Sequence, residues 1–211
     1  MPRELSRRDL FQKCLASGLL VVAAPLGDLE AWAAWDAQAG ATTKPTPPNV
    51  LGPFYKRNSP VRTALYPHGE PGLSLTVSGR VIDTAGNVIP RASIEIWQAD
   101  HAGHYDLDEF LGRGQFVAAG DGGYTFDTKM PGHYPTRKAQ HIHYLVNADG
   151  YKPLVTQLYF ATDPAFGGDP ARNFNSDPLV GNPELIRPVE LRGDTATLSA
   201  RVAFELRLEK R

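Results

Sequence analysis

Thiol is nearly absent from this 211-residue chain, which carries one cysteine, Cys14, and two methionines. A single thiol excludes an intrachain disulfide framework, a multi-cysteine metal site and a redox dithiol. No sign of charge dominates, since Lys+Arg 22 stand against Asp+Glu 23 for a net charge of -1. That balance argues against nucleic acid or an anionic membrane surface as the main partner. Long apolar runs are missing too. The one near Leu15 to Leu26 is about a dozen residues where a bilayer span needs roughly 20, so no permanent membrane anchor is expected. What is present is a 42% hydrophobic fraction, enough for an ordinary core, with Gly 20 and Pro 18 punctuating the chain as turns between short strands do.

Ser6-Arg7-Arg8-Asp9-Leu10-Phe11 precedes that apolar run, and Ala31-Trp32-Ala33 supplies small residues where a signal peptidase cuts. The segment looks like a twin-arginine signal over residues 1–33; the alternative is an amphipathic helix with two surface arginines. Residues 34–50 are rich in Ala, Thr and Pro and read as a linker or extended arm, leaving 51–211 as the folded domain. Because Cys14 lies in the leader, the mature chain has no thiol, and cysteine nucleophiles leave the list of mechanisms. The twin-arginine route exports folded chains to the periplasm or outside, which suits a protein that takes up a cofactor before export.

Apolar residues recur at period two in Leu73, Leu75, Val77 and Val81, then a turn cluster over 83–87 leads to Val88-Ile89-Pro90, so a hairpin is expected. Strands are predicted over 92–97, 124–126, 141–147 and 154–160. The tail Leu198, Ala200, Val202, Phe204, Leu206 and Leu208 alternates as one long strand. The expected fold is all-β, an antiparallel β-sandwich of mixed topology, with long active-site loops at 100–123 and 129–140.

His141 and His143 are two apart on a predicted strand, so both imidazoles share one face and can reach one ion. Such a pair also occurs as two ordinary half-buried histidines. A cupin would place a Glu four or five residues later, where Asn147 and Ala148 stand. The loops add phenols, Tyr105 in the first and Tyr134 in the second. Phenolate is a hard anionic donor suited to a trivalent ion such as Fe(III), although any single Tyr is ordinarily a core-edge aromatic.

In order along the chain, Ala92-Ser93-Ile94-Glu95-Ile96-Trp97-Gln98-Ala99-Asp100, His101-Ala102-Gly103-His104-Tyr105, Asp121-Gly122-Gly123-Tyr124-Thr125-Phe126 with Met130-Pro131-Gly132-His133-Tyr134-Pro135, His141-Ile142-His143, and Thr156-Gln157-Leu158-Tyr159-Phe160 resemble the intradiol ring-cleavage dioxygenases. The resemblance runs from about Leu51 to about Asp163. It implies Tyr105, Tyr134, His141 and His143 as ligands of a non-haem Fe(III). It makes Tyr134 the phenolate that leaves and serves as base, and places Gln157 beside the reacting edge. The family's arginine falls three residues before the first His, where this chain has Lys138 with Arg137 as neighbour, so either is a candidate for the charge that steadies the substrate. The implied reaction consumes a catechol-type substrate and O2 to give a cis,cis-muconate-type diacid.

Tyr55 and Arg62 resemble an arm that lies over the site in related enzymes. Trp97 reads as core, and His68, His101, His104 and His133 as loop histidines. A homo-oligomer is expected, built on the catalytic core alone. Two alternatives stand: an exported transthyretin-like binding module without catalysis, and the same site loaded with another metal or acting on another aromatic diol.

Overall fold

The computed structural model describes residues 44–194 and 196–211. The leader assigned to 1–33 and residues 34–43 of the arm lie outside the described residues. Among the described residues the strands in chain order are β1 Ser74–Asp83, β2 Ser93–Gln98, β3 Arg113–Val117, β4 Gly123–Lys129, β5 His141–Asn147, β6 Leu154–Phe160, β7 Ile186–Arg187, β8 Glu190–Arg192, β9 Ser199–Ala203 and β10 Leu206–Leu208. They make two five-stranded sheets. In the first, β1 is central. Its one edge carries β4, antiparallel from Ser74 opposite Lys129 to Arg80 opposite Gly123, and its other edge is shared by β9 and then β10, both parallel. Antiparallel β8 lies outside β9. The second sheet runs β3-β2-β5-β6-β7, antiparallel except for the β6–β7 pair. This is the expected all-β sandwich, and its mixed character lies in three parallel pairs.

The period-two pattern explains the layering. Leu75, Val77, Val81, Phe126, Val202 and Leu206 belong to the first sheet, and Ile94, Ile96, Ile142, Tyr144, Val146 and Leu158 to the second; all twelve are core. Each fully buried aliphatic side chain stabilises the fold by roughly 1.5–3 kcal/mol before chain entropy is set against it. The intervening residues of the second sheet point the other way, yet Trp97, His141, His143, Gln157 and Tyr159 are also buried. They are covered by loops instead of a sheet. Cross-strand register sets Trp97 beside His143, His143 beside Gln157, and His141 beside Tyr159, which makes one polar-aromatic patch on the outer face.

Three local expectations change. The hairpin after β1 reduces to a turn closed by the Asp83 carboxylate, which accepts from the Ala85 and Asn87 N–H groups, plus a single bridge between Ile82 and Val88. Val88-Ile89-Pro90 offers three residues and loses one donor to Pro90, whereas β4 offers seven ladder positions. The tail keeps its alternation but splits into β9 and β10 at Phe204, whose carbonyl accepts from the buried Tyr124 hydroxyl while its N–H bonds Ser78. The first long connection is not all loop, since it contains β3. Residues of the Pro-rich arm are seated: Asn49 N–H donates to Val155, the Thr156 hydroxyl to the Pro47 carbonyl, and Thr46 N–H to Arg207.

Candidate metal centre

The outer face of β5 supplies the imidazoles. His141 and His143 have ring centroids 4.9 Å apart, and His143 is stacked on Trp97 of β2 at 4.9 Å and 6°. The read of Trp97 as core is thus incomplete, because the indole is also the platform that fixes a site imidazole. On the other side the arm passes so close that a Cβ added to Gly52, at φ +75°, would sit 3.0 Å from His143 Cε1. His141 donates Nδ1–H to the Ala139 carbonyl at 2.8 Å, which leaves Nε2 as its free lone pair. Burial, with the Arg137 charge adding to it, pushes His141 down to about 4, and burial with the His141 charge holds His143 well below the ordinary range. Both are therefore neutral, ligand-ready rings at neutral pH.

The phenols arrive on two loops that touch backbone to backbone. Gly132 N–H donates to the Asp100 carbonyl at 2.7 Å, a Cβ on Gly132 would lie 2.5 Å from the Gly103 nitrogen, and one on Gly103 would collide with the His133 carbonyl. Those two side-chain-free positions let the loops approach, and the rings they carry meet: Tyr105 and Tyr134 are 5.6 Å apart at 80°. Phe54 stacks on Tyr105 at 4.2 Å and meets Tyr134 in a T-shaped contact at 5.9 Å. Tyr134 Oη is 3.4 Å from His141 Nε2, and the Tyr105 and His143 rings are 6.4 Å apart. All four residues singled out as ligands are brought together.

The donor chemistry fits a hard cation. The Tyr105 hydroxyl is buried without a hydrogen-bond partner, and burial raises the pKa of both Tyr105 and Tyr134. With only protein around them the phenols stay neutral. An ion that ionises both would be met by two phenolates and two neutral imidazoles, the combination that suits Fe(III). Among the described residues no group of three or more His, Cys, Asp or Glu could hold a metal ion, so carboxylate- and thiolate-rich sites are not on offer there.

The turn from Tyr134 to Arg137, closed by Arg137 N–H to the Tyr134 carbonyl at 2.9 Å, sends the two candidate cations in different directions. Arg137 turns inward and is 5% exposed, whereas Lys138 is exposed. The Lys138 side chain is turned to solvent, while its backbone N–H donates to Asp177 Oδ2 at 3.1 Å. Arg137 donates from Nε to Asp177 Oδ2 at 3.0 Å, from Nη1 to Gln157 Oε1 at 3.2 Å and from Nη2 to the Tyr159 hydroxyl at 2.8 Å, with Nη1 also 3.5 Å from His141 Nε2. Gln157 donates to the Val50 carbonyl at 2.8 Å and accepts from Tyr159 at 2.8 Å, so it ties strand, arm and guanidinium together.

Tyr55 and Arg62 stand outside this ring of contacts. Tyr55 donates to Glu95 and packs 5.0 Å from Trp97, while Arg62 donates to the Arg113 and Phe110 carbonyls and so braces the Tyr105 loop from outside. Arg113 is buried, donates to the Phe54 and Asp106 carbonyls and lies 5.9 Å from the Tyr105 ring. His133 is not a free loop residue: it pairs with the buried Asp163 at 2.8 Å, which raises its pKa. Of the functional neighbours, Tyr159 was within reach of the period-two rule, two residues from Gln157. Asp177, in a turn with no periodicity, offered no signal.

With that geometry in place, comparison with known proteins is specific. A family profile described as Dioxygenase matches residues 50–210. A chlorocatechol 1,2-dioxygenase of Rhodococcus opacus is 33% identical over 178 residues, covering 69% of this chain and 66% of that protein. A protocatechuate 3,4-dioxygenase beta chain of Burkholderia cepacia is 36% identical over 137 residues, covering 56% of this chain and 57% of that protein. The solved dioxygenase domain of a dioxygenase and carbohydrate-binding fusion protein from the cellulolytic bacterium Streptomyces sp. SirexAA-E is 34% identical with a TM-score of 0.68, covering 80% of this chain and 100% of that one. The matches span 49% to 66% of the length of the first three curated relatives, a chlorocatechol, a catechol and a hydroxyquinol 1,2-dioxygenase.

Proposed function

This chain belongs to the intradiol ring-cleavage dioxygenases, and from that premise we propose that it is an Fe(III)-dependent enzyme inserting both atoms of O2 into a catechol-type diol to give a cis,cis-muconate-type diacid. The observation that carries the proposal is the convergence of Tyr105, Tyr134, His141 and His143 beside one buried guanidinium. Held by Tyr105, Tyr134, His141 and His143, Fe(III) would supply Lewis acidity toward the diol and the electronic coupling that lets dioxygen react with an aromatic ring.

The protein's part follows from the contacts. His141 and His143 are buried, and Tyr105, half-buried as a residue, has a buried hydroxyl without a partner. Tyr134, also half-buried, would be the donor that yields to substrate and takes one diol proton at Oη. Arg137 Nη1 faces the same side as His141 Nε2 and holds negative charge on the reacting edge of the diolate. Its other donors are already occupied by Asp177 and Tyr159, so little reorganisation is needed during reaction. Phe54 offers the ring an aromatic wall. Val50 and Leu179, whose carbonyls accept from Gln157 and Tyr159, are exposed apolar residues beside those anchor points. We place the enzyme outside the cytoplasm, exported through the twin-arginine-type leader, and working as a homo-oligomer.

Iron-loaded protein given catechol, hydroxyquinol, chlorocatechol and protocatechuate under ¹⁸O2 tests the reading. At least one diol is expected to be cleaved with uptake of one O2 per ring and both labelled atoms in the diacid. No uptake with any of the four would defeat it.

A further inference from the structure

We propose that Asp177 is a positioning residue: its single carboxylate aims the Arg137 guanidinium and holds the peptide that fixes the His141 ring. Only the kinetic part of this inference rests on the dioxygenase reading. Asp177 is 3% exposed, and its Oδ2 accepts from Arg137 Nε at 3.0 Å, from Lys138 N–H at 3.1 Å and from Ala139 N–H at 3.1 Å. Its Oδ1 accepts from Leu179 N–H at 3.0 Å.

Each bond has a consequence at the site. The guanidinium is planar, so pinning Nε at Asp177, Nη1 at Gln157 and Nη2 at Tyr159 leaves it one orientation, the one in which Nη1 lies 3.5 Å from His141 Nε2. Without the Nε anchor the fork can swing about its last side-chain torsion. The Ala139 peptide is held by its N–H on Asp177, and its carbonyl receives His141 Nδ1–H at 2.8 Å. The carboxylate thereby helps choose which imidazole nitrogen keeps its lone pair. The third consequence is the turn after Asp177, closed by Val180 N–H to the Asp177 carbonyl, which directs the Leu179 carbonyl onto Tyr159 and Asn49. A loop fastener with no part in the site would explain the Leu179 bond but not the convergence of the other three on Arg137 and the His141 approach.

Asp177→Asn is close to isosteric but cannot accept at both ends, so either the Lys138 and Ala139 N–H groups or the Leu179 N–H must face an NH2 group. We expect kcat on a cleaved diol to fall about 10²-fold, the size of loss that follows a misplaced catalytic group. In an Arg137→Ala background the same change should cost clearly less than about 10²-fold, because the share exerted through the guanidinium is already gone and only the share exerted through the His141 peptide remains. A readout free of catalysis comes from ¹⁵N spectra of the metal-free protein: His141 should be Nδ1-protonated in the wild type and a tautomer mixture in Asp177→Asn. Should Asp177→Asn not fold, the Arg137→Ala/Asp177→Asn double variant leaves no buried charge unpaired and carries the same tautomer test. Wild-type kcat, additive losses in the double variant, or an unchanged His141 spectrum would each overturn the proposal. If the wild type cleaves no diol, the dioxygenase reading fails alone, and the imidazole spectra still decide the role of Asp177.

Discussion

Arg137→Ala is expected to lower kcat/KM for a cleaved diol by about 10²–10³-fold, the loss typical of removing one preorganised charge-stabilising donor, with iron still bound. Lys138→Ala is expected to stay near wild type. The contrast follows from direction: one side chain is 5% exposed with three donors committed inside the site, and its neighbour is exposed. Removing Arg137 does not strip Asp177 bare, since its carboxylate keeps the Lys138, Ala139 and Leu179 N–H groups. The variant should therefore fold, and a thermal melt run beside the kinetics separates lost rate from lost structure. A large loss in Lys138→Ala with full activity in Arg137→Ala would reverse the assignment.

Tyr134→Phe should cost about 10²-fold or more in kcat, within the range for a positioned acid–base group, and should weaken the phenolate charge-transfer band without abolishing it. Phe keeps the ring, so the 5.6 Å contact with Tyr105 and the 5.9 Å contact with Phe54 survive and only Oη is lost. Tyr105 then remains as the one phenolate. Visible spectra at saturating iron, read together with turnover, check both halves. A variant with the wild-type band and wild-type turnover would remove Tyr134 from the ligand set.

The parts of the site that were legible in the sequence are those governed by period. His141 and His143 share a face because strand side chains alternate, and Gln157 joins them because β6 pairs with β5 in a register that sets it beside His143. Tyr105 and Tyr134 were placed by ordered motifs in Gly-rich loops, and the structure shows why glycine is needed there: the Gly103 and Gly132 backbones meet. What stayed hidden depends on phase or on distance along the chain. Nothing local says whether Arg137 or Lys138 turns inward, because that is set by where the turn from Tyr134 closes. Asp177 lies forty residues beyond Arg137 in a turn without pattern, and only the folded chain joins them.

The same distinction runs through the fold. The alternation of the tail predicted a strand but not its partner, and β9 and β10 pair in parallel with β1, more than a hundred residues earlier. Conversely, the turn over 83–87 was legible from Asp83, Gly86 and Asn87, yet the strand it was expected to return lost β1 to the longer apolar ladder of β4. Local chemistry fixes turns, and buried area chooses partners.

Crystals of the protein as isolated, measured on both sides of the iron absorption edge, give the most direct test. The account predicts one anomalous difference peak within ligand-bond distance of Tyr105 Oη, Tyr134 Oη, His141 Nε2 and an imidazole nitrogen of His143. A peak that any of these four fails to reach, or a signal at another metal's edge in that position, would contradict it.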